Sequence, residues 1–294
     1  MGAPVFVSSF FNMKAILFTL FLGFVAAEEL LGYHARVGIP EAARLKLKEA
    51  AAVESRIAGG TPSALGDYPY LAGLLITLTT GQVSVCGGTL ISTTRVLTAA
   101  QCWFDGWFQG QSITVVLASA TIYTGGTRVA AKSVYVHPSY SAPKLEHDIA
   151  MIAILAVPIN RNQSPVRLPT ASQANNTYVG YYAHAVGFGR MGDSSPITNT
   201  QAQRSIPLPV ISNKLCAVSY GSAITKDVIC TSGDNGWGPC AGDTGGPLLL
   251  KSYTAEPSVL IGVISIISPR GCQSGQPAGY LKVTSHLNWI NSFL

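Results

Sequence analysis

Cys240-Ala241-Gly242-Asp243-Thr244-Gly245-Gly246-Pro247 is the stretch from which the rest of the chain is read. Its glycines allow turns closed to other residues and a close backbone approach to a bound chain. A carboxylate, Asp243, and a hydroxyl, Thr244, sit inside that turn. On both sides lie short β-branched runs broken by Gly, Pro, Asn and Ser: Leu71–Leu78, Ile113–Ala118, Ile149–Leu155, Ala183–Phe188 and Val259–Ile266. Strands spaced in this way predict an all-β barrel or sandwich. Only at the end does the period change. Val283, Leu287, Ile290 and Leu294 recur at helical spacing and predict a terminal helix over Ser285–Leu294.

The chain has 294 residues, 48% of them hydrophobic, enough for a large core. Charged residues make up 11%, against about 25% in typical soluble proteins. The formal charge of +5 is spread out, with no Lys/Arg run, so no nucleic-acid footprint is present. Met13-Lys14 leads into an apolar run, Ala15 to Val25, and then Ala26-Ala27. This reads as a secretory signal over residues 1–27, with Met13 a candidate initiator. The run is short for a membrane span, and no membrane partner is expected. Residues 28–56 form a separate segment without cysteine. Pro40 to Ala50 has good helix formers behind an N-terminal proline, but alone is too short to be stable.

The 240–247 stretch resembles the nucleophile loop Gly-Asp-Ser-Gly-Gly-Pro of chymotrypsin-like serine proteases, with Thr244 in place of serine. Arg56-Ile57-Ala58-Gly59-Gly60 resembles the activation junction Arg-Ile-Val-Gly-Gly. Leu97 to Cys102 resembles the Thr-Ala-Ala-His-Cys segment, with Gln101 in place of histidine. His147-Asp148-Ile149-Ala150-Met151 resembles the segment of the triad aspartate. The resemblance covers residues 57–294 and is closest to insect digestive members. It implies two six-stranded antiparallel β-barrels with the active-site cleft between them and a short C-terminal helix. It also implies cleavage after Arg56 by a trypsin-like protease, after which the Ile57 ammonium pairs with Asp243. Six cysteines suggest three bridges whose pairing the sequence leaves open; the resemblance selects Cys86–Cys102, Cys216–Cys230 and Cys240–Cys272. There is no C-x-x-C pair. The family's calcium loop would need more carboxylates than Asp105 and Glu146 supply between Cys102 and Asp148, so no metal site or cofactor is expected.

By resemblance the triad positions are Gln101, Asp148 and Thr244. The oxyanion donors are the N–H groups of Gly242 and Thr244, and Ser265 supports the aspartate. The substrate pocket is formed by Gly238, Ser265, Ile266, Ile267 and Ala278. With no charge at Gly238 and a branched side chain at 267, the pocket should favour small side chains, as in elastases. A glutamine amide hydrogen-bonds but is not basic near neutral pH, so Gln101 cannot shuttle a proton. Thr244 adds a methyl on a stiff carbon, and threonine nucleophiles elsewhere use a local base. None of His34, His137, His147, His184 and His286 is expected to substitute; His147 should point away from Asp148 in an extended strand.

These features lead to the expectation of a secreted homologue that is not an enzyme, acting as a decoy for protease inhibitors or as a cofactor for another protease. The rival reading is a serine-type endopeptidase with elastase-like preference and weak activity. Two sequons, at Asn162 and Asn175, are candidate glycosylation sites.

Overall fold

The structure, a computed structural model, describes residues 32–50, 61–190, 192–193, 203–251 and 258–294. The expected signal peptide and the Arg56–Ile57 junction lie outside the described residues. The described chain opens with a π-turn, His34–Gly38, and helix α1, Ile39–Ala50.

Two barrels follow. The first contains β2 (Leu71–Leu78), β3 (Val83–Ser92), β4 (Arg95–Thr98), β5 (Gly110–Leu117), β6 (Thr127–Val136) and β7 (Ala150–Ile154). It closes in the order β2-β3-β4-β7-β6-β5. In β2 the alternation of a strand puts Ala72, Leu74, Ile76 and Leu78 inside, all fully buried. The second contains β8 (Tyr182–Gly187), β9 (Arg204–Ile211), β10 (Val228–Thr231), β11 (Pro247–Leu250), β12 (Val259–Ile266) and β13 (Ala278–Lys282). Its strands run β9-β10-β13-β12-β11-β8, and β8 pairs back to β9 to close the ring; the short β1 (Thr61–Pro62) adds to the outside of β9. The expected pair of six-stranded barrels is therefore present. The three disulfides are Cys86–Cys102, Cys216–Cys230 and Cys240–Cys272. The second braces helix α2 (Asn213–Tyr220) against β10.

The terminal helix is shorter than its sequence pattern suggests. A 3-10 turn, Val283–His286, leads into α3, Leu287–Asn291. Val283 and Ile290 are fully buried, whereas Leu294 is 58% exposed, so the last position of the helical pattern has nothing to pack on.

The barrels meet where β3 faces the 240–247 loop. Gly87 N–H donates to the Thr244 carbonyl at 2.7 Å. A Cβ at Gly87 would lie 2.8 Å from the Gly246 backbone, so this junction requires glycine. Gly245, at φ +85°, likewise turns against the Gly87 carbonyl and the Thr98 hydroxyl.

Candidate active site at the barrel junction

The register of β4 on β7 pairs Thr98 with Ala150. The chain leaving β4 forms a short turn, Ala100–Cys102, and this brings Gln101 against Asp148, which is fully buried. Asp148 Oδ1 accepts from the Gln101 backbone N–H at 2.8 Å, and Oδ2 accepts from Gln101 Nε2 at 2.6 Å. The Ser265 hydroxyl, from β12 of the other barrel, donates to the same Oδ2 at 2.6 Å. Burial still raises the Asp148 carboxyl above its usual range, although the donors from Ser265, Gln101 and Ala100 oppose the shift. Gln101 Nε2 also donates to the Ser265 carbonyl at 3.0 Å. Both amide hydrogens are thus committed, which leaves the amide oxygen as the only group Gln101 can offer elsewhere in the cleft.

Thr244 lies in the same cleft as Gln101 and Ser265, on the glycine loop, and is only 2% exposed. The Asp243 carboxylate accepts from Gly189 N–H at 2.7 Å and Cys240 N–H at 2.8 Å. Burial pushes this carboxyl up to about 6, against the pull of those two N–H groups and of the Arg44 charge.

The segment before the barrels covers this cleft. Tyr33 is buried, its hydroxyl donates to the Val85 carbonyl at 2.7 Å, and it lines the same cavity as Thr244. The His34 backbone N–H donates to Asp105 Oδ2 at 2.7 Å, and the His34 ring pairs with the Ser84 hydroxyl at 2.8 Å. Ala42 and Leu45, three apart on α1, pack on Val85 and Ile122, and Tyr123 donates to the Ala42 carbonyl at 2.8 Å. Glu41 is 1% exposed. It pairs with Arg44 of its own helix and accepts from Arg190 Nε at 3.1 Å. Its Cγ lies 3.0 Å from where a Cβ would stand on Gly242. The sequence showed a helix-forming segment here but not its destination. The Ala42/Leu45 spacing and a carboxylate in the first turn, Glu41, were the available signals.

A cavity of about 250 Å³ runs beside Thr244, walled by Gln101, Cys240, Ser265, Ile266, Ile267 and the covering Tyr33. Two of the expected pocket residues are not among its walls. Gly238 faces a separate cavity of about 60 Å³ behind Asp243. Ala278 is 5% exposed within β13, paired with Thr231. Asp243, whose carboxylate is tied to Gly189 and Cys240, lines that second cavity together with Gly238.

His147 also departs from its expected strand: its φ of +50° takes it out of extended conformation, and its ring pairs with His286. Among the described residues no helix is long and apolar enough to cross a membrane.

A family model described as Trypsin matches residues 57–290. Collagenase of Hypoderma lineatum is 36% identical over 238 residues, covering 81% of this chain and 86% of that protein. Brachyurin of Leptuca pugilator is 32% identical over 241 residues, covering 80% of this chain and 97% of that protein. A solved structure of HL collagenase superposes with a TM-score of 0.73 at 34% identity, over 81% of this chain and 99% of that one. These likenesses overturn the expectation that the chain is not an enzyme. That expectation rested on two side chains, whereas similarity to proteins named as proteases extends across both barrels.

Proposed function

Because this chain belongs to the trypsin family of chymotrypsin-like serine proteases, whose members bind protein or peptide substrates, we propose that it is the precursor of a secreted, elastase-like endopeptidase with slow turnover. One observation carries the reading: Asp148, Gln101 and Ser265 are locked together beside the Thr244 hydroxyl at the barrel junction. Three disulfides suit an oxidising, extracellular compartment.

In this reading the Thr244 hydroxyl oxygen attacks a peptide carbonyl, and the N–H groups of Gly242 and Thr244 receive the developing oxyanion. An ester to Thr244 forms as the C–N bond breaks, and water then hydrolyses that ester. The hydroxyl proton passes to solvent and the leaving amine takes one from it, because the Gln101 amide accepts a hydrogen bond but no proton. Loss of the imidazole removes most of the rate, and donors plus binding leave roughly 10³–10⁴ over water. Ile266 and Ile267 in the wall favour small apolar side chains. The test is hydrolysis of Ala-, Phe- and Arg-type peptide amides by cleaved protein, in which the Ala type is cut best.

Residues 28–56 act in this reading as a leader. Cleavage after Arg56 by a trypsin-like protease frees the Ile57 ammonium to pair with Asp243. The pH dependence reports the change. In the uncleaved protein Asp243 titrates near 6, above the usual carboxylate value of 3.8. The folded state therefore binds this proton more tightly than the unfolded state, and the group adds stability as pH falls from about 6 towards 4. An ammonium partner lowers the folded value and reverses the sign. Urea unfolding of the parent and Asp243→Asn, at neutral pH and near pH 3, below the usual carboxylate value, checks this. The parent gains on the variant at the lower pH before cleavage and loses to it after cleavage. An unchanged sign would remove the Ile57–Asp243 pair from the account.

A further inference from the structure

Three histidines meet beside the Asp148 segment, each from a different element. His137 follows β6, His147 immediately precedes Asp148, and His286 ends the 3-10 turn before α3. One ring nitrogen of each lies within 4.8 Å of the others. His147 Nδ1 and His286 Nε2 are 3.0 Å apart. The His137 ring stacks on His147 with centroids 4.8 Å apart, and Trp289 walls the group at 5.3 Å from His137. His137 and His147 are half-buried, whereas His286 is buried.

We propose that His137, His147 and His286 form a binding site for a zinc-class divalent ion, with water as the fourth ligand. The chemistry of each ring favours this. His286 Nδ1 lies 3.1 Å from the Lys282 carbonyl, an oxygen that can only accept. Nδ1 therefore carries the hydrogen, and the Nε2 lone pair points at His147. A ring held by a backbone carbonyl in this way is the usual support of a metal-bound histidine. Two nitrogens at about 2.05 Å from a tetrahedral ion lie roughly 3.3 Å apart, close to the separation already present between His147 and His286. The ion replaces the single hydrogen those two rings share. His137 is the ligand that moves. Its Nδ1 accepts from the Ser139 N–H at 3.2 Å in an exposed turn, a long bond that a metal bond can replace. Neutral imidazoles with a water select zinc, copper(II) or nickel over calcium or magnesium. The other convergence of ligand-type groups among the described residues, Asp193 with Cys240 and Cys272, is no such site, because both sulfurs are in a disulfide.

An ion here ties β6, the Asp148 segment and the C-terminal helix together. It binds the folded chain only, so it raises the midpoint of thermal unfolding by mass action. The experiment uses the full chain, uncleaved, so the result does not depend on hydrolysis. Zinc titration by calorimetry, and cobalt(II) titration followed by its visible tetrahedral bands, are run on the parent and on His137→Gln, His147→Gln and His184→Gln. The expected result is one ion per chain in the parent and in His184→Gln, with affinity lowered about tenfold or more in the other two. His137 is half-exposed, so His137→Gln remains folded and the comparison stands even if His147→Gln does not fold. No binding at roughly millimolar zinc, or equal binding by the parent and a folded His137→Gln, overturns the proposal.

Discussion

Changing Gln101→His and Thr244→Ser together is expected to raise peptide-amide turnover by about 10⁴-fold or more. The surroundings the pair needs are in place. Asp148 Oδ2 already holds a side-chain donor from position 101 at 2.6 Å and the Ser265 hydroxyl at 2.6 Å. An imidazole at 101 would give Asp148 an N–H in the same place and present its other nitrogen to position 244. It would then take the nucleophile's proton and return it to the leaving amine. Serine removes the methyl that restricts the approach of the hydroxyl. Each single change gives little: Thr244→Ser still lacks a base, and Gln101→His faces a branched hydroxyl. Groups that act as a unit are far from additive. Kinetics of the four variants after cleavage at Arg56 decide it. If Gln101→His alone yields the whole gain, Thr244 is already well placed and the methyl argument fails.

The second large effect concerns the leader. Peptide 28–56 supplied to cleaved protein is expected to compete with substrate, and the Glu41→Ala peptide to compete about 30-fold less well, a loss of about 2 kcal/mol. Glu41 is 1% exposed and bridges Arg44 of the leader to Arg190 of the barrels. Without it Arg44 and Arg190, which repel each other, lose the buried carboxylate that joins them. Arg190 is 36% exposed, which keeps the loss below that of a fully buried pair. Tyr33→Ala removes the cover over Thr244 and weakens competition as well. Equal competition by the parent and Glu41→Ala peptides would show that the covering segment does not hold the cleft through this contact.

Much of the fold was legible because its signals are local. The β-branched runs between turn residues marked the strands, and β2 and β12 have the bounds their sequences suggest. The glycine loop was readable because Gly245 and Gly246 leave no room for a side chain, a demand that fixes residue type. Gln101, Asp148 and Ser265 come together across two barrels, and only the resemblance brought them together in advance. The leader's position was not legible: Glu41 finds Arg190 across 149 residues, a pairing that no periodicity encodes. The histidine trio escaped for a similar reason. His137 and His147 are separated by a loop and His286 comes from the far end of the chain, while the left-handed φ of +50° at His147 breaks the strand alternation that sets its expected direction. Gly238 lines a cavity with Asp243 and not the one beside Thr244, a placement that no local pattern encodes.

The central claim is that Thr244 is the nucleophile of a slow endopeptidase. The direct test is amide hydrolysis of an Ala-type peptide by protein cleaved after Arg56, comparing the parent with Thr244→Ala at equal concentration and with the same preparation history. The account predicts slow hydrolysis by the parent, above the buffer rate, that is abolished in Thr244→Ala. Equal rates in the two proteins, or no hydrolysis by the parent, would contradict it.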